Sequence, residues 1–241
     1  MNIQIVLFDG FDLMDALGPY EVFEGARLVG APNIAVELVC MGGARPVPSA
    51  PGGLVIAATG APDLDRADII LIPGAAGPVQ PEAEGSLLAI LAREGAGPIP
   101  GLAQAALRRD GLTVVAVCGG ALILGLGGVI EGRHAVTHFL GMPAFAATGA
   151  IAVQARVVDD GNLITGGGVT SGIDVALHVV DRFIGPKVAH GVESLFEYER
   201  RGIVWRPRGP DALGLEPSRE DADAAPTTAP APADQGAGGH T

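Results

Sequence analysis

Cysteine and lysine are scarce in this chain of 241 residues. Its two cysteines, Cys40 and Cys118, are too few for a disulfide framework or a cysteine-rich zinc site, so we expect a reducing compartment and no metal. Lys187 is the only lysine, and acidic residues outnumber basic ones by 27 to 15, for a formal net charge of -12. Such a chain lacks the basic surface that nucleic acid or anionic lipid requires, so we expect neither as a partner.

Charged residues are also few, at 17%, whereas hydrophobic residues make up 48%, which excludes disorder for most of the chain. The N-terminus has no basic segment before its first short apolar run, so we predict no secretory signal and a cytoplasmic location. Residues 111–130 carry no charge and are long enough to span a membrane. Their β-branched run, followed by Cys118, two glycines and apolar residues, instead predicts a buried strand, a sharp turn and a helix.

Short apolar segments alternate with helical ones, which predicts parallel βαβ units. The strand candidates are almost continuously apolar, as in a sheet covered on both faces, and they are 3–8, 35–40, 69–72 and 112–117. We therefore predict an α/β fold with a doubly wound, mostly parallel sheet sandwiched by helices. Two further regions predict a small hairpin or loop at 45–56 and a hairpin of 152–158 with 163–165, turning at 159–162.

The composition changes after residue 205. In the last 36 residues, 6 are proline and none is aromatic. Because such a segment cannot bury a core, we predict a disordered tail at 206–241 after an α/β domain at 1–205. The tail is too short and too aperiodic for a helix-turn-helix domain.

Cys118 is the first candidate for chemistry, because ligands of open parallel sheets bind beyond the carboxyl ends of the strands. It stands between a strand and a helix, where the helix dipole favours the thiolate, the reactive form. Gly119 and Gly120 permit the tight turn of a nucleophile elbow. The alternative is a buried structural cysteine, the role that we assign to Cys40.

Asp12 and Asp15 follow the first strand. Because Pro19 suits the first turn of a helix, we expect Asp15 in the loop just before it, at the carboxyl edge of the sheet. A carboxyl group there can serve a thiol or a water as general acid or base. The alternative is that either aspartate merely caps the helix.

Two loops of small residues follow other strands. The backbone amides of Gly74 and Ala75, with that of Gly119, predict an oxyanion hole, although any tight strand-to-helix loop could look the same. The glycine-rich run 166–174 lacks the lysine of a phosphate loop, so we predict that Gly168 and Thr170 shape a pocket wall, where a helix of about 170–183 begins.

His138 and Thr137 belong to a segment, 135–139, that is typical of a strand. His134 and His138 are four positions apart, but the segment offers no acidic third ligand, so we predict no metal site. His138 is a polar neighbour of the site or a buried core histidine.

Four motifs together resemble the ThiJ/PfpI superfamily over about residues 1–200: LFDGFDLMDALGPYEVF, LIPGAAG, VAVCGGALILGLGGVIEGRHAVTHF and TGGGVTSGIDVALHVV. The resemblance implies a flavodoxin-like fold of the class I glutamine amidotransferase type and a homodimer. It also implies that Cys118 is the nucleophile, Asp15 its acidic neighbour and His138 the histidine 20 positions later. Within the superfamily the chain is similar to isonitrile hydratases, which typically carry threonine where Gly119 stands; the peptidase branch carries histidine there.

These observations favour a cofactor-free hydratase or lyase in which Cys118 attacks the electrophilic carbon of a small substrate. An isonitrile, converted to an N-substituted formamide, is the substrate that the resemblance implies. Two alternatives use the same thiol: glyoxalase-like hydration of methylglyoxal to lactate, and a non-enzymatic redox or ligand sensor.

Overall fold

The computed structural model describes residues 1–50, 52–80, 83 and 85–209. Its central sheet has six strands: β1 (Asn2–Leu7), β3 (Ala35–Cys40), β6 (Ile69–Ile72), β7 (Thr113–Val117), β10 (Val157–Asp159) and β11 (Leu163–Gly166). They follow the order β10-β11-β7-β6-β1-β3, and only β10, at one edge, is antiparallel to its neighbour. This confirms the predicted mostly parallel sheet, whose central strands β6 and β7 are buried along their whole length.

Helices cover the sheet in two groups. One group comprises α1 (Leu13–Val29), α6 (Ser171–Phe183) and α7 (Pro186–Phe196), which pack against one another. The other comprises α2 (Leu87–Gly95), α3 (Ile99–Leu107) and α4 (Gly119–Leu126), and the short helix α5 (Met142–Ala146) contacts α4. A sheet flanked in this way explains why its strands are apolar throughout rather than alternating with polar residues.

Two small sheets lie outside the central one. β2 (Phe11–Asp12) pairs with the hairpin of β4 (Arg45–Ala50) and β5 (Val55–Ala58), as predicted for 45–56. β8 (His134–Ala135) pairs with β9 (Ile151–Ala152). The second predicted hairpin forms from β10 and β11, but 152–158 is not one strand, because β9 and β10 pair with different partners. Asp159 lies in β10 opposite Ile164, so the turn is 160–162 rather than 159–162.

The uncharged stretch 111–130 folds as predicted, with β7, then Cys118, then α4. Residues 112–125 are all buried within the domain, so their apolar character is that of a core. Within the described part of the chain, no helix is both long and apolar enough to cross a membrane.

The α/β unit extends from Met1 to Pro207. Trp205 exchanges backbone hydrogen bonds with β10, and Arg206 Nε donates to Asp159 Oδ2 at 3.2 Å. Residues 210–241, most of the predicted tail, lie outside the described residues, so the tail stays a prediction.

Candidate active site

Cys118 occupies a strained turn between β7 and α4. Its backbone has φ 57° and ψ -127°, a conformation that residues other than glycine rarely adopt. Two buried hydrogen bonds fix this turn: Cys118 N–H donates to Gly166 O at 2.9 Å, and Thr137 Oγ1 donates to Cys118 O at 2.7 Å. Gly120 is required here because a side chain would collide with the carbonyl oxygen of Ile72 at the end of β6. The geometry is that of a nucleophile elbow.

Asp15 lies in the first turn of α1 and is 0% exposed. The helix begins earlier than predicted, because Asp12 caps it by accepting from the amides of Met14 and Asp15. The prediction that Asp15 lies in a loop before a first turn containing Pro19 is therefore wrong, since Pro19 lies inside the helix. The two aspartates therefore have different roles. Asp12 caps the helix, and Asp15 is buried at the carboxyl edge of the sheet.

Gly74 brings Asp15 and Cys118 together. Its N–H donates to Asp15 Oδ2 at 3.1 Å. A side-chain carbon at residue 74 would lie 2.6 Å from Asp15 Oδ2, 2.6 Å from Gly119 N and 3.1 Å from Cys118 Cβ. Segments that follow β1, β6 and β7 thus converge on one point. Because Gly74 N–H is engaged by Asp15, it does not serve the predicted oxyanion hole, and this part of the prediction needs correction.

The amides of Gly119 and Ala75 remain as donors. Gly119 N–H is the first amide of α4, directly after Cys118, and lowers the pKa of its thiol. Ala75 N lies 3.6 Å from where a Gly119 side-chain carbon would stand, and among the described residues its N–H has no acceptor. Two amides beside one thiol can stabilise negative charge that develops on a substrate atom.

Burial raises the pKa of both acidic groups. The pKa of the Asp15 carboxyl lies well above its usual range because the group is desolvated and lies near the charge of Asp12. Desolvation, and then the charge of Asp15, raise the pKa of the Cys118 thiol. The Gly119 amide at the start of α4 lowers the pKa of Cys118, as the helix-dipole argument predicts, but burial of the thiol, which is 6% exposed, and the charge of Asp15 have larger effects in the opposite direction. Burial thus favours the protonated form of each group.

His138 lies on the other side of the thiol. A side-chain carbon at Gly168 would be 2.5 Å from His138 Cδ2 and 3.0 Å from Cys118 Sγ, so ring and sulfur flank this glycine. The predicted strand 135–139 is wrong beyond Ala135, because His138 caps a short 3-10 turn, Phe139–Gly141. Its Nδ1 accepts from Leu140 N–H at 3.3 Å, which places the proton of the neutral ring on Nε2.

A cavity of about 470 Å³ adjoins this group. Thr137, His138 and Gly168 line it, as predicted for a pocket, whereas Thr170 is exposed and bonds a lining residue, Arg156. The remaining lining residues, which the sequence did not single out, are Val136, Phe139, Met142, Gln154, Ala155, Gly167 and Ser171. Ser171 lies within the glycine-rich run 166–174, so its place in that run is a sequence signal, whereas Arg156 has no such signal.

Leu91 occupies the space beside Gly119. A side-chain carbon at Gly119 would lie 2.9 Å from Leu91 Cδ2, and Leu91 is buried. Leu91, from α2, therefore fills the space that a side chain at position 119 would need.

The two histidines 134 and 138 do not form a pair. His134 lies 4.8 Å from Trp205 ring to ring and 3.5 Å from Asp160 Oδ1. Within the described residues, no cluster of three or more His, Cys, Asp or Glu side chains could hold a metal ion.

Comparison with known proteins gives a consistent result. A model of the DJ-1/PfpI family matches residues 1–182. An isonitrile hydratase from Pseudomonas putida is 36% identical over 198 residues, covering 82% of this chain and 78% of that protein. A ThiJ/PfpI family protein from Pseudomonas syringae superposes with a TM-score of 0.60 at 28% identity, over 89% of this chain and 78% of that one. Drosophila melanogaster DJ-1beta superposes with a TM-score of 0.67 at 20% identity, over 82% and 98%.

Proposed function

The chain belongs to the DJ-1/PfpI family, and we propose that it is a cysteine-dependent hydratase that converts an isonitrile to an N-substituted formamide. The observation that carries the proposal is the convergence of Asp15, the Cys118 elbow and Gly119 N on Gly74. The 36% identity to an isonitrile hydratase over most of both chains supports the choice of substrate.

The chemistry of an isonitrile suits a site that holds protons. Its terminal carbon must gain both a nucleophile and a proton, so a thiol beside a protonated carboxyl supplies what the carbon lacks. Asp15 Oδ2 is tied to Gly74, whereas Asp15 Oδ1 is buried without a partner among the described residues. The raised pKa of Asp15 keeps that carboxyl protonated at higher pH than an exposed one.

In the first step, Cys118 Sγ bonds to the isonitrile carbon, which receives a proton from Asp15 while the thiol proton passes to Asp15. The product is a thioimidate, R–N=CH–S–Cys118, formed without any other reactant. The amides of Gly119 and Ala75 are the donors for charge that develops beside the sulfur.

In the second step, water adds across the C=N bond of the thioimidate: the Asp15 carboxyl gives its proton to the nitrogen and takes one from the water, whose oxygen bonds to the carbon. Cleavage of the C–S bond then returns the Cys118 thiol, and the nitrogen keeps the added proton, giving R–NH–CHO. Isonitrile and water are consumed in equal amounts. His138 Nε2–H, across Gly168 from the sulfur, is a donor for the substrate or for this water.

The geometry favours this function over a redox sensor. A sensing cysteine is exposed and has a low pKa, whereas Cys118 is buried and its pKa is raised. Hydration of methylglyoxal by the same thiol is tested in parallel below.

The test is formamide production from a simple alkyl isonitrile by the wild type and by Cys118→Ala and Asp15→Asn. We expect Cys118→Ala to abolish turnover and Asp15→Asn to reduce it about 100-fold or more. Cys40→Ala is the matched control, because Cys40 is a second buried cysteine at the end of β3 and should leave the rate unchanged. Turnover that survives in Cys118→Ala contradicts the proposal, and lactate formed from methylglyoxal in place of formamide would favour the glyoxalase alternative.

We also infer a homodimer from the family. Several large apolar side chains are exposed, among them Leu28, Phe139, Leu140 and Ile203. Light scattering on the purified protein measures its mass directly, and a monomer at all concentrations would refute the inference.

A further inference from the structure

The cavity beside Cys118 has a lining that contrasts with the rest of the molecule. The chain carries a net charge of -12, yet none of the described residues that line the cavity has a carboxyl group. The ionisable lining side chains are His138 and Arg156. A ligand that bears negative charge meets no like charge on these walls.

Arg156 is fixed in position and has a donor to spare. Its Nε donates to Asp174 Oδ2 at 2.5 Å and its Nη2 to Thr170 Oγ1 at 3.0 Å. Asp174 also accepts from the Tyr198 hydroxyl and from Arg201 N–H, both at 2.9 Å, so its charge is shared among three donors. Arg156 Nη1 has no acceptor among the described residues. A guanidinium that is held through Nε and Nη2 can still donate from Nη1 to a ligand.

Ser171 is an independent sign of a ligand. It lines the cavity, is 1% exposed, and its hydroxyl has no partner in the described part of the chain. Its Oγ lies 4.0 Å from where a side-chain carbon of Gly167, another lining residue, would stand. A buried hydroxyl without a partner costs stability, so one in a cavity wall indicates a group that is bound during function.

The backbone amides around Ser171 also lack hydrogen-bond partners in the described part of the chain. Helix α6 begins at Ser171, and the N–H groups of residues 168–171 donate to no backbone acceptor among the described residues. The first amides of a 13-residue helix form the positive end of its dipole and favour an anion. Guanidinium, hydroxyl and amides thus supply donors at one end of the cavity, whereas Val136, Phe139 and Met142 supply apolar wall.

We propose that Arg156, Ser171 and the N-terminal amides of α6 bind a carboxylate of the substrate, so that the enzyme prefers isonitriles that carry a carboxylate. The inference rests on the proposed function and names its substrate class. The carboxylate occupies the donor end, the apolar wall covers the connecting carbons, and the isonitrile carbon reaches Cys118 past Gly168.

Ligand binding tests the carboxylate site without any turnover. Saturation-transfer NMR compares butanoate with butanamide, which has the same shape but no charge. We expect saturable binding of butanoate and at least about tenfold weaker binding of butanamide, the ratio typical of a charge-assisted hydrogen bond. Equal binding of the two, or binding of neither, overturns the proposal.

Three variants locate the site. Arg156→Gln should weaken butanoate binding about tenfold. Arg133→Gln is its matched control, because Arg133 bonds Asp160 at the same 2.5 Å, is similarly half-buried and does not line the cavity. Since Arg156→Gln also strips buried Asp174 of its ion pair and can fail to fold, Ser171→Ala gives a second route, with weaker butanoate binding and no change of charge. Unchanged binding in Ser171→Ala and in folded Arg156→Gln overturns the assignment.

Turnover then separates this inference from the proposed function. We expect kcat/KM for 4-isocyanobutanoate to exceed that for its methyl ester about tenfold, and the ratio to fall in Ser171→Ala. If both are hydrated equally well, the carboxylate site is wrong and the hydratase stands. If neither is hydrated although butanoate binds at this site, the carboxylate site stands and the hydratase proposal fails.

Discussion

Asp15 and Cys118 approach one another across a residue that has no side chain. Gly74 donates its N–H to Asp15 Oδ2 at 3.1 Å, and a carbon added to it would lie 3.1 Å from Cys118 Cβ and 2.6 Å from that carboxyl oxygen. The pair therefore depends on Gly74 as much as on its own two members.

Gly74→Ala should separate this pair. The added methyl group displaces Asp15 or Gly119, so we expect formamide production to fall about 100-fold and the free energy of unfolding to fall by about 1–3 kcal/mol. Steady-state kinetics and urea unfolding measure the two effects. Gly101→Ala is the control, because a carbon at Gly101 in α3 meets nothing within 4 Å, and it should leave activity intact. Normal turnover in Gly74→Ala would show that the close approach is not needed.

The rate of Cys118 alkylation should rise with pH over a higher range than that of an ordinary cysteine. Because burial and the charge of Asp15 raise the thiol pKa, the rate with iodoacetamide should still be rising above pH 9, where an ordinary cysteine levels off near its pKa of about 8.5. Asp15→Asn removes the negative charge and should shift the profile to lower pH. Mass spectrometry of the Cys118 peptide follows the reaction. A profile that levels off below pH 8, or one that Asp15→Asn leaves in place, would contradict the electrostatic assignment.

The burial of Asp15 should also make stability depend on pH. Its pKa is raised in the folded protein, so between about pH 4 and that folded pKa the folded state binds more protons than the unfolded state. The stabilisation is therefore complete below the unfolded pKa and is lost as pH rises through the folded one. Asp15→Asn should gain stability relative to the wild type as pH rises from 4 to 8. Denaturant unfolding at several pH values measures the difference, and a constant difference would refute the shift.

Thr137 should support the elbow rather than touch the substrate carbon. Thr137→Val removes the hydroxyl that bonds Cys118 O at 2.7 Å and leaves that carbonyl buried, which should cost about 1–3 kcal/mol of stability and about tenfold in rate. Thr148→Val is the matched control, because Thr148 Oγ1 bonds Phe145 O at the same 2.7 Å away from the site. If both variants lose activity equally, the Thr137 bond has no special role at the elbow.

Leu91 and Gly119 should be energetically coupled. Gly119→Thr places a side chain against Leu91 Cδ2 and should destabilise the protein by about 1–3 kcal/mol. Leu91→Ala makes room, so the double variant should be more stable than the sum of the single effects by about 1 kcal/mol. A double-mutant cycle of unfolding free energies measures the coupling. Strict additivity would mean that Leu91 does not restrict residue 119.

The sequence was sufficient to predict the sheet and the placement of the elbow. Continuous apolar runs are a local signal of buried parallel strands, and a cysteine followed by two glycines between a strand and a helix allows one sharp turn. The hairpins at 45–56 and at β10–β11 were also predictable, because their turn residues are adjacent in the chain.

Tertiary structure alone decided the electrostatics and the second half of the pocket. The helix dipole favours a thiolate, but desolvation and Asp15, which are set by packing across β1, β6 and β7, have the larger effect and raise the pKa of Cys118. Arg156 and Ser171 meet at one cavity only through the fold, since the glycine-rich run that contains Ser171 does not identify Arg156 as its neighbour. Periodicity and turn chemistry act between neighbours in sequence, whereas pKa values and cavities depend on which distant groups share a space from which water is excluded.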